Sequence, residues 1–206
     1  MAAGSRNMSP TGLATSLKEA KETMTAGDTR SKLLEEIRRK AYKEGDFTLA
    51  SGLKSDYYID MKEVILDAEG SLLAGRMIYE VIKDWPATAV GGLELGSVPI
   101  STAVCLVFAL EGRPMSNFIV RKEAKAHGAR KKIEGAVGNA SRAVIVEDVV
   151  STGGSSLKAV EAVRETGAKV IGIVAIVDRE MGGREAFEAR GIQYTPLFTI
   201  SQLRSR

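Results

Sequence analysis

Residues 143–158 read AVIVEDVVSTGGSSLK, and they hold the most suggestive chemistry of the chain. Two adjacent carboxylates, Glu147 and Asp148, close an apolar run, Ala143–Val146, that suits a buried strand. Five small residues follow, Ser151, Thr152, Gly153, Gly154 and Ser155, and a helical pattern begins at Ser156. A turn of this kind aims several backbone N–H groups at one point, and the helix behind it adds partial positive charge there. Glycine lets the backbone approach an anion without a Cβ in the way. A phosphate fits such a cradle, and the two acids suit sugar hydroxyls or a hydrated Mg²⁺ beside it. The plainer alternative is an ordinary strand-to-helix turn with two solvated acids.

A second segment carries opposite charge. RKEAKAHGARKK, residues 121–132, holds six lysines or arginines, one acid and His127, the only histidine of the chain. A run of charge is usually a solvated surface. This one directly follows an expected strand of the same sheet, so it emerges on the same edge as the glycine turn. Cations on a mobile loop there neutralise leaving-group charge and exclude water on closing, and a histidine among them is a plausible acid.

The elements that must position these groups follow from periodicity. Leu33, Leu34, Ile37 and Ala41 recur on one face of a helix expected over Ser31–Glu44, with Gly45 as its stop. Phe47–Asp60 reads as two short strands around a Ser-Gly turn. A helix over 68–83 is followed by a strand at Thr88–Gly92, a helix at Val98–Leu110 and a strand at Pro114–Val120. After the basic segment come a strand at Arg142–Asp148, a helix at Leu157–Thr166 and a strand at Lys169–Val177. A helix at Arg184–Ala189 and a strand at Gln193–Phe198 complete the series. This alternation predicts an α/β fold, a doubly wound parallel sheet with helices on both faces.

Composition narrows the class. Hydrophobic content of 44% and charged content of 27% describe a globular protein, and no apolar run approaches the length of a membrane span. A net charge of +3 is too mild to argue for nucleic acid. Cys105, the single cysteine, has no internal disulfide partner and reads as a packed thiol. Residues 1–28 lack the apolar region of a secretory signal and read as a flexible extension, with a short helix near Leu13–Met24. The expectation is a cytoplasmic protein with neither a membrane nor a nucleic acid as partner.

EDVVSTGGSS after AVIV resembles the phosphoribosyl-pyrophosphate signature of the type I phosphoribosyltransferases. Two further segments are similar to the orotate phosphoribosyltransferases within that family: RKEAKAHG to their catalytic loop, FTLASGLKSDYYID to their N-terminal hood. The three occur in the family's order. The resemblance implies a single domain over 29–206 with the type I fold and a small hood, mainly in 30–65. It implies transfer of the 5-phosphoribosyl group from phosphoribosyl pyrophosphate to N1 of orotate, giving orotidine 5′-monophosphate and pyrophosphate in pyrimidine biosynthesis. By motif, the catalytic residues are Lys125, His127, Glu147 and Asp148. Glu147 and Asp148 face the ribose, and the run Val149, Val150, Ser151, Thr152, Gly153, Gly154, Ser155 wraps the 5-phosphate. Arg121, Lys122, Lys125 and His127 bind the diphosphate, and either Lys125 or His127 protonates it. Ser151 and Arg179 contact orotate, with Tyr57 and Tyr58 beside or over it. Mg²⁺ is held mainly by the substrate, with help from Asp148, and the basic loop acts in trans within a homodimer.

Departures from the family pattern are visible. Ala50 stands where some members carry a hood lysine, and Ala129 where some place an acid. The loop GGLELGSVP has Glu94 and Leu95 where some have Tyr-Lys, which puts a cationic diphosphate contact there in doubt. The rival readings are a purine phosphoribosyltransferase of the same fold and a phosphoribosyl-pyrophosphate-sensing regulator without catalysis.

Overall fold

The computed structural model describes residues 26–48, 54–123 and 132–205. Helix α1 (Ala26–Glu36) starts at Ala26 rather than Ser31 and continues as a π-helical turn over Ile37–Ala41. Leu33, Ile37 and Ala41 from its inner face are fully buried. The helical pattern stops short of Glu44, because Tyr42 already pairs with Ile59. Strand β1 (Tyr42–Thr48) runs antiparallel to β2 (Lys54–Ile59) in a two-stranded sheet of its own. Gly45 is therefore no helix stop. It lies inside β1 at φ +150°, where the register shifts between Glu44 and Phe47, a conformation that side chains rarely adopt. The Ser-Gly turn between the strands and the extension up to residue 25 lie outside the described residues.

A short helix, α2 (Lys62–Ile65), was not legible in the periodicity. Helix α3 (Ala68–Ile82) follows, its N-terminus capped by Asp67, whose side chain accepts from the N–H groups of Glu69 and Gly70. Strand β3 (Ala89–Leu93), helix α4 (Ser97–Leu110) and strand β4 (Ser116–Val120) come next. Beyond the basic segment lie β5 (Ile133–Gly135), β6 (Arg142–Val150), α5 (Gly154–Glu165), β7 (Lys169–Asp178), α6 (Gly183–Glu188), β8 (Tyr194–Thr199) and α7 (Ile200–Arg204).

The main sheet has the order β5-β4-β3-β6-β7-β8, parallel except for β5 at its edge. The chain steps outward from β3 to β4, returns to the other side of β3 at β6, and then proceeds the opposite way. That reversal opens a crevice beyond the carboxyl ends of β3 and β6.

Alternate residues of the central strands feed two cores. Val144, Val146, Val174 and Ile176 pack with α1, α3 and α4, while Ala143, Ile145, Ile173 and Ala175 pack with α5 and α6. Each fully buried valine or isoleucine is worth roughly 1.5–3 kcal/mol of transfer free energy, so cover on both faces explains the unbroken apolar runs.

Three arginines fasten the N-terminal elements to the C-terminal ones. Arg30 donates to the carbonyl of Leu197 at 2.7 Å and lies over the Phe198 ring, and Arg38 donates to the carbonyls of Gln202 and Leu203. From the other end, Arg204 pairs with Asp56 at 2.6 Å and lies over the ring of Tyr57.

If α1 is part of the common core, Leu33→Ala should cost about 2–5 kcal/mol and shift one cooperative unfolding transition. Differential scanning calorimetry checks this; a separate low-temperature transition with an unshifted main peak would make α1 an independent appendage.

Candidate active site

The acidic pair lies within β6, which runs two residues past Asp148 to Val150. Neighbours on a strand point to opposite faces, so the two acids diverge. Glu147 turns under α5, where it is 6% exposed and its Oε2 accepts from the hydroxyl of Ser156 at 3.1 Å. Burial, and then the negative charge of Asp148, push the carboxyl of Glu147 up to about 8. Asp148 turns the other way, toward the loop between β3 and α4. A Cβ added to Gly96 of that loop would lie 2.5 Å from the Asp148 carboxylate, so a side chain there would displace the carboxylate from this position.

The turn after β6 is built as its composition predicts, although helix α5 begins at Gly154 rather than Ser156. Gly153 precedes the helix with φ +82°, and a Cβ there would meet the Phe187 ring at 2.7 Å. No side chain caps α5, which leaves its first N–H groups to the turn's concave side. Ser151 is half-buried and Thr152 exposed, while Val150 is in the core.

A crevice of about 270 Å³ joins these parts. Glu147, Asp148, Val149 and Ser155 line it from β6 and α5, Glu94 and Gly96 from the β3–α4 loop, Lys122 from the end of β4, and Lys62 from α2. Glu94 fixes the root of the basic segment: its Oε1 accepts from the N–H of Lys122 at 2.8 Å, and its own N–H donates to the carbonyl of Val120. The Glu94–Leu95 peptide bond is cis. Arg121 lines an adjoining cleft of about 340 Å³ that shares Lys122 and Ser155 with the crevice. Its N–H donates to the carbonyl of Lys132, which holds the two ends of the basic segment together. Lys125 and His127 lie outside the described residues.

Arg179 stands after β7. Its N–H donates to the carbonyl of Val150, and its Nε to the hydroxyl of Tyr57 at 2.9 Å. Tyr57 is buried, with the Arg179 guanidinium 4.8 Å from its ring centroid. Tyr58 is 40% exposed and packs on Phe47, so the two tyrosines face different ways. The structure thus brings Glu147, Asp148, Val149, Ser155 and Lys122 together at the crevice and Arg179 together with Tyr57. Sequence reasoning passed over Lys62, Ser156 and the anchoring role of Glu94. The one available signal was the loop GGLELGSVP itself, whose Glu94 stands out as an acid among small residues. Cys105, in α4, is half-buried, and burial pushes its thiol up to about 11, in keeping with a packed, inert group.

Comparison with known proteins agrees with this geometry. A family model described as a phosphoribosyl transferase domain matches residues 64–187, more than half of the chain. An orotate phosphoribosyltransferase of Aquifex aeolicus is 45% identical over 177 residues, which is 84% of this chain and 97% of that protein. Among solved structures, Mycobacterium tuberculosis orotate phosphoribosyltransferase in complex with Fe(III) dicitrate is 41% identical, covering 86% of this chain and 99% of that one, with a TM-score of 0.77. The same enzyme in complex with 5-phospho-alpha-D-ribosyl 1-diphosphate gives 37% identity, coverage of 85% and 98%, and a TM-score of 0.72.

The raised pKa of Glu147 has a thermodynamic consequence. The folded protein keeps a proton there that the unfolded chain releases, so this group stabilises the fold fully below about pH 4.5 and loses that contribution as pH rises to about 8. Glu147→Gln, which stays neutral, should therefore gain in melting temperature relative to the parent as pH is raised from 5 to 8. Thermal unfolding across that range checks it, and a constant difference would mean that Glu147 is ionised throughout.

Proposed function

The chain belongs to the orotate phosphoribosyltransferases, transferases of pyrimidine biosynthesis that join N1 of orotate to C1 of phosphoribosyl pyrophosphate, and we propose how its own residues divide that work. The observation that carries the proposal is the shared crevice, where the acidic pair, the glycine turn and Lys122 at the root of the basic segment meet. The turn Ser151–Ser155 holds the 5-phosphate through backbone N–H groups at the start of α5. Asp148, the more accessible acid, receives the ribose hydroxyls and stabilises positive charge growing at C1 as pyrophosphate departs. Glu147, buried, accepts from the hydroxyl of Ser156 in α5 and keeps a proton. Arg121 and Lys122, with Lys125 and His127 of the same segment, bind the diphosphate, and Lys125 or His127 protonates it. Arg179 contacts orotate, an anion that needs a cation and directional donors.

Mg²⁺ suits this donor set. Among the described residues no cluster of three protein ligands forms a dedicated metal site, but Mg²⁺ commonly takes one or two carboxylates and completes its shell with substrate phosphates and water. Asp148 would hold it beside the diphosphate. When bound, the ion neutralises charge on the departing pyrophosphate.

The homodimer belongs to the same proposal. Leu66, Leu72, Leu106 and Leu110 are exposed around a largely apolar groove of about 790 Å³ between α3 and α4, a surface suited to a second copy of the chain. Basic segments reach across from one copy into the crevice of the other. No described helix is long and apolar enough to cross a membrane, and a cytoplasmic location accords with the free thiol.

Loss of orotate absorbance with phosphoribosyl pyrophosphate and Mg²⁺ is expected, and none with adenine, guanine or xanthine as acceptor. Turnover of a purine instead would replace the reading, as would ligand binding without turnover. Arg179→Ala should weaken orotate by about 10-fold or more while sparing phosphoribosyl pyrophosphate, as measured by calorimetric titration. Lys125→Ala should lower turnover about 100- to 1,000-fold. A mixture of Lys125→Ala and Asp148→Asn chains should regain activity through hybrid dimers; no recovery after proven subunit exchange would make the loop act in cis.

A further inference from the structure

The crevice is short of positive charge where its family role asks for it. Three acidic side chains line it, the protonated Glu147 with Glu94 and Asp148, and among the described residues the cations that line it are Lys62 and Lys122. The β3–α4 loop contributes Glu94 and Leu95 but no cation, and the Glu94 carboxylate is committed to the N–H of Lys122. A diphosphate entering this mouth meets repulsion from the acids unless a second cation stands on their side.

Lys62 occupies that place. It opens α2, whose Val64 and Ile65 pack into the same core as Val146. Val146 and Asp148 share one face of β6, so α2 sits on the side to which Asp148 turns. The negative charge of Asp148 is among the influences that raise the pKa of Lys62, after its bond to Asp60. The ammonium of Lys62 lies 2.6 Å from Asp60 Oδ1, in a pair whose side chains are 51% and 25% exposed. Pairs that open to water contribute little stability, so the lysine can leave Asp60 for a phosphate oxygen at small cost. Its flexible stem and three donors suit that exchange.

We propose that Lys62 is a further substrate-binding residue, donating from the α2 side to the diphosphate of phosphoribosyl pyrophosphate and to the pyrophosphate that leaves. The proposal rests on the reading of the crevice as the diphosphate side of the transferase site, and it assigns to α2 the cation that the β3–α4 loop lacks.

Titration calorimetry of the full chain with pyrophosphate in MgCl₂, and separately with orotidine 5′-monophosphate, tests it. Lys62→Met should weaken pyrophosphate about 10- to 100-fold and leave the monophosphate within about 3-fold, whereas Lys62→Arg should retain most of the pyrophosphate affinity. Asp60→Asn, which releases the lysine from its partner, should bind pyrophosphate at least as tightly as the parent. Unchanged pyrophosphate affinity in Lys62→Met overturns the proposal. So does equal loss for both ligands, or an Asp60→Asn variant that copies Lys62→Met, since either makes the ion pair merely structural. Orotate turnover by the parent chain in the same preparation separates the two levels. Its absence defeats the reading of the site, while its presence beside an indifferent Lys62→Met defeats the lysine alone.

Discussion

Parallel pairing of β3 with β6, Ala89–Gly91 against Ala143–Ile145, is the constraint on which the site depends. Through it the loop bearing Glu94 and Gly96 lies beside the acidic pair, although the chain visits β4, β5 and the basic segment in between. The register there has no freedom. A slip of β6 by one residue would exchange Val144 and Val146 with Ala143 and Ile145 between two filled cores. It would also send Asp148 toward Ser156 and set the longer Glu147 against Gly96, where the Asp148 carboxylate now packs. Packing of the two cores therefore decides which of the two crevice-lining acids is buried and which is the more accessible.

That asymmetry gives two neighbouring carboxyl groups different chemistry. An ionised carboxylate is costly to bury, and one hydroxyl donor is modest compensation. Glu147 accordingly holds its proton far above the ordinary range, whereas Asp148 keeps contact with the crevice. Environments that push two titratable groups apart are a common means of assigning them separate tasks. In the proposed site, a Glu147 that keeps its proton is also easier to reconcile with a diphosphate close by, because each further anion adds repulsion in a partly desolvated space.

Much of the fold was legible because its signals are local. Residues 170–177 are almost continuously apolar since β7 is covered on both faces, and glycine at 153 marks the one turn position at which a Cβ would strike Phe187. The acidic pair, the turn and the root of the basic segment were legible together because they lie in or just beyond the last residues of strands of one sheet. Other features depend on partners distant in sequence. Helical spacing up to Glu44 gave way to a strand because Tyr42 finds Ile59, and only that pairing explains Gly45. β5 and α2 are too short to show a period, and nothing local marks Lys62 as a neighbour of Asp148. Glu94 looked like a defect in a cationic loop, whereas its carboxylate anchors the backbone of Lys122. Lys125 and His127 rest on resemblance alone, since they lie outside the described residues.

The N-terminal hairpin has a comparable hold on Arg179, with Tyr57 packed into the same core as Val146. Arg179 is fixed twice, by its backbone to β6 through the carbonyl of Val150 and by its Nε to the hydroxyl of Tyr57. Because Nε is committed, the two terminal nitrogens of the planar guanidinium are left for the proposed bidentate grip on the carboxylate of orotate. Tyr57 therefore sets the plane in which that grip is made. The tyrosine is itself held from the far end of the chain by Arg204, which lies over the same ring and pairs with Asp56 of the same strand. Ring, hairpin and C-terminal helix thus act together on the position of one arginine. A buried tyrosine in a short hairpin thereby fixes the orientation of the arginine that follows β7, the residue proposed to meet the acceptor.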